Sequence, residues 1–164
     1  AWKARHPDTT VLSIDTGHRR DYGEGVAYGD YFATDKLMFR VPQLDTRLAN
    51  KAEVFALRSD DGKDTLAIAA EYLRTHRVHH DEIDGKRIVV LTDASGANRA
   101  YESEEVRFDP FEGEGTVRDA SGGEWKADEA GIHDGAGRTL KRIAGHRAFW
   151  FGWVSAFPDT RLVH

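Results

Sequence analysis

Turn-forming pairs recur at short intervals through the middle of the chain: Asp61-Gly62, Asp84-Gly85, Ser95-Gly96, Ser121-Gly122-Gly123 and the glycine-rich Asp134-Gly135-Ala136-Gly137. This punctuation constrains the fold more than any other feature. Asp and Ser bend the backbone through local hydrogen bonds and Gly supplies the positive φ of a tight hairpin, so only short segments fit between the turns. The segments themselves read as β: residues 10–14 (TVLSI), 36–41 (KLMFRV), 53–58 (EVFALR), 65–69 (TLAIA), 87–92 (RIVVLT), 98–103 (NRAYES), 105–109 (EVRFD), 115–119 (GTVRD), 124–128 (EWKAD) and 138–143 (RTLKRI). In EVRFD, Val106 and Phe108 alternate with charge, the mark of a strand with one wet face. IVVL is apolar on both sides and is expected to be a strand covered on both faces. The expected fold is mainly β, a twisted antiparallel sheet or small barrel of about eight to ten short strands.

Two helices complete this reading. Residues 69–76 (AAEYLRTH) are good helix formers, with Tyr72, Leu73 and His76 on one side. In residues 146–157 (HRAFWFGWVSAF), Phe149, Trp153 and Phe157 recur every four residues beside Trp150 and Val154, and Pro158 ends the run. Phe151 lies off that stripe, so this C-terminal aromatic helix is expected to be buried in the domain or packed against another domain or subunit.

At 164 residues the chain suits one domain with an N-terminal arm, and a domain of this size buries roughly two-thirds of its unfolded surface. A formal charge of −5 with both signs mixed lacks the basic patch that nucleic acid or an anionic membrane demands. No run approaches the roughly 18 apolar residues of a membrane helix. With no cysteine there is no disulfide, thiolate metal site or Cys nucleophile. Starting without Met, the chain reads as a fragment or a processed product.

One signature stands at both ends. WKARHPDTTVL, residues 2–12, and WVSAFPDTRLV, residues 153–163, share a Trp, a ring-bearing residue four positions on, Pro-Asp-Thr, and two aliphatics after one variable residue. A second echo, Asp-Ala-Ser-Gly at residues 93–96 and again at 119–122, reads as one hairpin turn used twice, since the further alternate Asp residues of a calcium loop are absent.

Together the stretches WKARHPDTTVLSIDTGHRRDY, GVAYGDY, FRVPQLDTRLANKAEVFAL, DEIDGKRIVVL and AFWFGWVSAFPDTRLV resemble the family catalogued as Domain of Unknown Function 3179. The resemblance implies a duplicated unit. Residues 1–14 would be the tail of an upstream copy, residues 1–47 an arm and connector, and residues 48–164 the β-rich second, C-terminal copy. It also implies an extracytoplasmic location, periplasmic or secreted, and a partner that is the upstream copy or another subunit, a homo-oligomer included. The first copy of relatives carries a Tyr-Cys-Pro-Leu-like stretch after its central apolar strand. Here that position reads VVLTDASGANRAY, with Thr92 and Asp93 and no Cys.

Two clusters stand out as candidate sites. His76, His79, His80 and Asp81, within HRVHHDEID, are ligand types for a divalent transition metal and for acid-base work. A His-Glu-x-x-His pattern is absent, however, and residues 78–83 read as a helix exit and strand entry. His18, Arg20, Asp21 and Tyr22 offer an ion pair and aromatic surface to a ligand or partner, or the side-chain bonds that hold an irregular arm in place. Phe149, Trp150 and Trp153 of the aromatic helix are the other candidate contact residues. The first functional reading is a non-catalytic binding or structural module; the second is a metal-binding protein or metal-dependent enzyme using the His/Asp cluster, joined by His18 or His133.

Overall fold

The computed structural model describes residues 2–23, 25–111, 113, 116–128 and 131–164, with Arg5 by its backbone alone. It divides into two compact units, residues 1–38 and 39–164. The first carries two four-residue helices, α1 (Trp2–Arg5) and α2 (Gly29–Phe32). Residues 10–14 and 36–41, expected as strands, join no ladder among the described residues. Their β-like composition meets no neighbouring strand, and an extended segment is stabilised only by one.

The second unit is mainly β, as expected, with eleven strands among its described residues. In chain order these are β1 (Glu53–Arg58), β2 (Thr65–Ala69), helix α3 (Ala70–Thr75), β3 (Val78–Ile83), β4 (Lys86–Thr92), β5 (Asn98–Glu102), β6 (Val117–Arg118), β7 (Glu124–Ala127), β8 (Gly131–Asp134), β9 (Thr139–Ile143), β10 (Gly145–Phe149), helix α4 (Trp150–Ala156) and β11 (Arg161–Val163). Seven form a curled antiparallel sheet in the order β3-β4-β5-β9-β8-β7-β6, and four form a second sheet in the order β10-β1-β2-β11. All of these pairings are antiparallel except that of β11 with β2, which is parallel. Residues 105–109 form only an isolated bridge, Phe108 with Asp119.

Alternation along β1 explains the layering. Val54 and Ala56 point to one face and pack with Ala67, Trp150, Trp153 and Val154. Phe55 and Leu57 point to the other and pack with Leu66, Ile68, Leu73, Ile88 and Val90. β4 behaves likewise: Ile88 and Val90 meet the four-stranded sheet, while Val89 and Leu91 join Tyr101, Phe108, Trp125, Ile132 and Leu140 inside the curl. It is therefore covered on both faces, as its sequence predicts.

The expected helix over residues 146–157 begins four residues later, because residues 145–149 are β10, paired with β1 from Glu53↔Phe149 to Leu57↔Gly145. Two facts favour the strand. Gly145 lies against the core ring, where a Cβ would come within 2.5 Å of Phe55 Cζ and 2.7 Å of Leu57 Cδ2. Arg147, on the same strand, donates to Glu53 Oε2 at 2.9 Å and to the Gly96 carbonyl. α4 then starts with its first N–H groups on backbone carbonyls, Trp150 to Ala52 at 2.8 Å and Phe151 to Asn50 at 2.9 Å, which replace a side-chain cap.

The repeated Asp-Ala-Ser-Gly is one turn used twice. Asp93 Oδ1 accepts from the Ser95 N–H, the Ser95 hydroxyl and the Ala97 N–H at 2.9, 2.6 and 3.0 Å. Asp119 Oδ1 accepts from the Ser121 N–H, the Ser121 hydroxyl and the Gly123 N–H at 2.9, 2.6 and 2.9 Å. The second oxygen of each takes a donor six residues on, Arg99 Nη1 at 2.8 Å and Trp125 Nε1 at 2.7 Å. Gly96 and Gly122 follow at φ 83° and 87°, a region L side chains rarely enter. At Asp119 the Ser121 hydroxyl and the Trp125 indole lower the carboxyl from 3.8 to about 2.

Asp119→Ala is expected to lower the unfolding free energy, measured in urea, by about 1–3 kcal/mol, because the buried Trp125 N–H loses its acceptor. A folded pKa below the ordinary value means that the carboxylate's stabilisation is complete above pH 3.8 and is lost as pH falls toward about 2. The gap in Tm between wild type and Asp119→Ala is therefore expected to close over that window; a constant gap would show that the ionised carboxylate is not what holds the turn.

Candidate functional site

The histidine cluster falls on two elements. α3 follows β2 directly, buries Leu73 and ends with His76, whose Nδ1 lies 3.1 Å from the Tyr72 carbonyl at the helix terminus. The His76 and Tyr72 rings stack at 4.0 Å with an 8° tilt. β3 begins two residues later, and a strand sends successive side chains to opposite faces. His79 and Asp81, opposite Val90 and Ile88, face the four-stranded sheet; His80, opposite Val89, faces the interior of the curl. The strand thus divides the group that the sequence places together.

On the first face a polar chain crosses between the sheets. Tyr72 Oη lies 3.3 Å from His79 Nδ1, and His79 Nε2 lies 3.2 Å from Asp81 Oδ2. Asp81 Oδ1 accepts from its neighbour Glu82 N–H at 2.7 Å and from Arg161 Nη1 at 3.0 Å. Arg161, the first residue of β11, also donates to the Glu82 carbonyl and stands 3.7 Å from Asp64. Burial would raise the Asp81 carboxyl, but His79, the Glu82 N–H and the Arg161 guanidinium together hold it well below the usual carboxylate range. The chain joins β3 to β11, and so fastens the last strand to the seven-stranded sheet.

On the second face, His80 Nε2 accepts the Phe108 backbone N–H at 3.1 Å, and the rings lie nearly parallel, 6.3 Å apart. Burial pushes the His80 pKa below the ordinary imidazole value, and the Arg107 charge adds to this. His80 borders a cavity of about 520 Å³ between the end of α3, the start of β3 and residues 108–111.

The remaining candidates lie elsewhere. His18, Arg20, Asp21 and Tyr22 are exposed in the first unit, where Asp21 Oδ1 accepts the Gly23 N–H at 2.8 Å and Tyr22 Oη meets Thr16 Oγ1 at 2.8 Å. Trp150 and Trp153 are 0% and 4% exposed in the second unit. Trp150 Nε1 donates to the Asp45 carbonyl at 3.1 Å, and Arg47, paired with Asp45 at 2.8 Å, stands over its ring. Phe149 ends β10, its ring stacked 6.1 Å from Phe151. His133, on β8, is 3.4 Å from Asp128. Among the described residues no three His, Asp or Glu side chains gather as metal ligands.

Residues the sequence reading passed over are Tyr72, Arg161 and Phe108. Tyr72 was legible as a helix-face residue; the other two reach the site across 80 and 28 residues, and no local pattern marks such a contact.

A family model described as a protein of unknown function (DUF3179) matches residues 1–160. Neither a curated protein nor a solved structure matches the chain. No helix among the described residues is long and apolar enough to cross a membrane.

A double-mutant cycle on Arg161→Ala and Asp81→Ala, read from urea unfolding, is expected to give a coupling of about 0.5–3 kcal/mol. The coupling is expected to shrink as salt is raised, because the Arg161 side chain is 48% exposed. Additive losses would mean that the pair does not tie β11 to β3.

Proposed function

The chain belongs to the DUF3179 family of proteins of unknown function, whose model covers residues 1–160, and on that footing we propose that it is a non-catalytic binding or structural module, the second copy of a duplicated extracytoplasmic unit. Its N-terminal arm, residues 1–14 within 1–47, is the closing segment of the copy before it. The partner is that upstream copy.

The observation that carries this reading is the geometry shared by the two chain ends. Trp153 Nε1 donates to Thr160 Oγ1 at 3.0 Å, and Trp2 Nε1 donates to Thr9 Oγ1 at 3.1 Å. The Trp153 ring sits 4.3 Å from Phe157 at a 38° tilt, and the Trp2 ring 4.0 Å from His6 at 31°. In each case the residue four after the Trp donates its N–H to the Trp carbonyl at 2.9 Å, and the Thr N–H returns to that residue's carbonyl. Sequence echo and local structure agree: a helical turn, a proline and a Thr that receives the indole.

At the C-terminal end the next residues become β11. Arg161, Leu162 and Val163 pair parallel with Leu66, Ala67 and Ile68, and both aliphatics are half-buried. Their counterparts in the arm are Val11 and Leu12, 80% and 96% exposed. Burying two such side chains is worth about 1.5–3 kcal/mol each, which a strand like β2 in an upstream copy would supply. Every exposed large hydrophobic side chain among the described residues lies between Trp2 and Leu44, which suits an arm made to be covered. The arm departs from the C-terminal version where Lys3 stands in place of the buried Val154, so its helical turn meets a more polar surround. The family resemblance supports the extracytoplasmic location.

Interchangeability tests the reading. A chain carrying Phe157→His, Leu162→Val and Val163→Leu, which writes the arm's residues into β11 while keeping Arg161, is expected to unfold cooperatively. The two aliphatic exchanges conserve volume and cost less than about 1.5 kcal/mol each. The Trp153 indole N–H resonance is expected to stay at its hydrogen-bonded position. Loss of cooperative unfolding, equal to that of a scrambled 157–163 segment, would show that the two ends are not versions of one device.

A further inference from the structure

The cavity beside His80 has properties that the module reading does not use. Its volume of about 520 Å³ falls within the range of small-molecule sites. The charged residues that line it are of one sign, Arg74 and Arg77, with the imidazoles of His76 and His80; no carboxylate is among its described lining residues. Its apolar walls include the rings of Phe108 and Phe111.

Each cationic group keeps donors in hand. Arg77 Nη1 donates to the Asp93 carbonyl at 2.9 Å, and Arg74 pairs with Glu71 at the surface; a guanidinium has five N–H groups. Arg77 is seated where the chain crosses at Gly113. There φ is +94°, and a Cβ would fall 2.5 Å from Arg77 Nη1 and 2.6 Å from the Ala94 N, so only glycine lets the crossing pass and leaves the guanidinium in place.

The imidazole adds a second feature. Because Nε2 accepts the Phe108 N–H, its lone pair is committed and the neutral ring carries its proton on Nδ1. That Nδ1 is buried and has no hydrogen-bond partner among the described residues. Buried donors without acceptors are uncommon, because they forfeit the hydrogen bond they make in water.

We propose that this cavity binds a small organic anion bearing an aromatic or branched apolar group, with its carboxylate on Arg77 and Arg74 and its apolar part against Phe108 and Phe111. The site lies wholly in the second unit and is independent of the arm, so either reading can fail without the other.

Titration of the 15N-labelled chain with benzoate tests it, with benzyl alcohol as the uncharged analogue and inorganic phosphate as the anion without a ring. Benzoate is expected to shift the Val78, Phe108 and Phe111 amides and the His80 ring nitrogens saturably, and to bind at least tenfold more tightly than either control. Arg74→Gln, at an exposed position outside the core, is expected to weaken benzoate several-fold with Tm unchanged, and Arg77→Gln more strongly. Absence of saturable shifts, shifts that map elsewhere, or binding of benzyl alcohol or phosphate as tight as that of benzoate would each overturn the proposal.

Discussion

A sheet with two apolar faces must be covered twice, and the second unit is organised around that need. β1 and β2 carry a buried side chain at nearly every position, so both faces of these two central strands must be covered. α4 covers one face through Trp150, Trp153 and Val154, and β4 and β5 of the curled sheet cover the other through Ile88, Val90 and Ala100. The curled sheet in turn hides its own far face by wrapping Phe108, Trp125 and Leu140 over Val89 and Leu91. Every polar group described at the His cluster is placed by this stacking: β3 lies where two layers meet, so one side chain faces the seam between the sheets and the next faces the curl.

Features set by local chemistry were legible in the sequence. The two Asp-Ala-Ser-Gly turns and the hairpin glycines depend on neighbours a few residues apart, so residue type and spacing carry the information, and the unbroken apolar run of β4 marks it for cover on both faces. The beginning of α4 was not legible. Phe149 extends the four-residue spacing of Trp153 and Phe157, yet residues 145–149 are claimed by β1 and by the close approach at Gly145, both long-range facts. Residues 10–14 have strand composition and no strand beside them, which shows that β propensity describes a fit to a neighbour more than a property of the segment. As for the candidate site, residue types were visible and their grouping was not: the two-residue period of β3 separates His79 and Asp81 from His80, and Arg161 and Phe108 arrive from distant parts of the chain.

Structural use accounts for much of the polar cluster. Tyr72, His79, Asp81 and Arg161 form a connected set whose bonds run between elements, and such a set specifies how layers register as well as how firmly they hold. His80 differs, because one of its nitrogens is committed to the backbone while the other has no partner among the described residues.

The parallel pairing of β11 with β2 also bears on the order in which the chain is made. β2 is made well before β11, and its outer edge stays open until β11 follows. During translation that edge presents unpaired N–H and C=O groups, the kind of surface on which nascent chains misassemble. A unit closed by its own final strand completes its four-stranded sheet only once that strand has emerged.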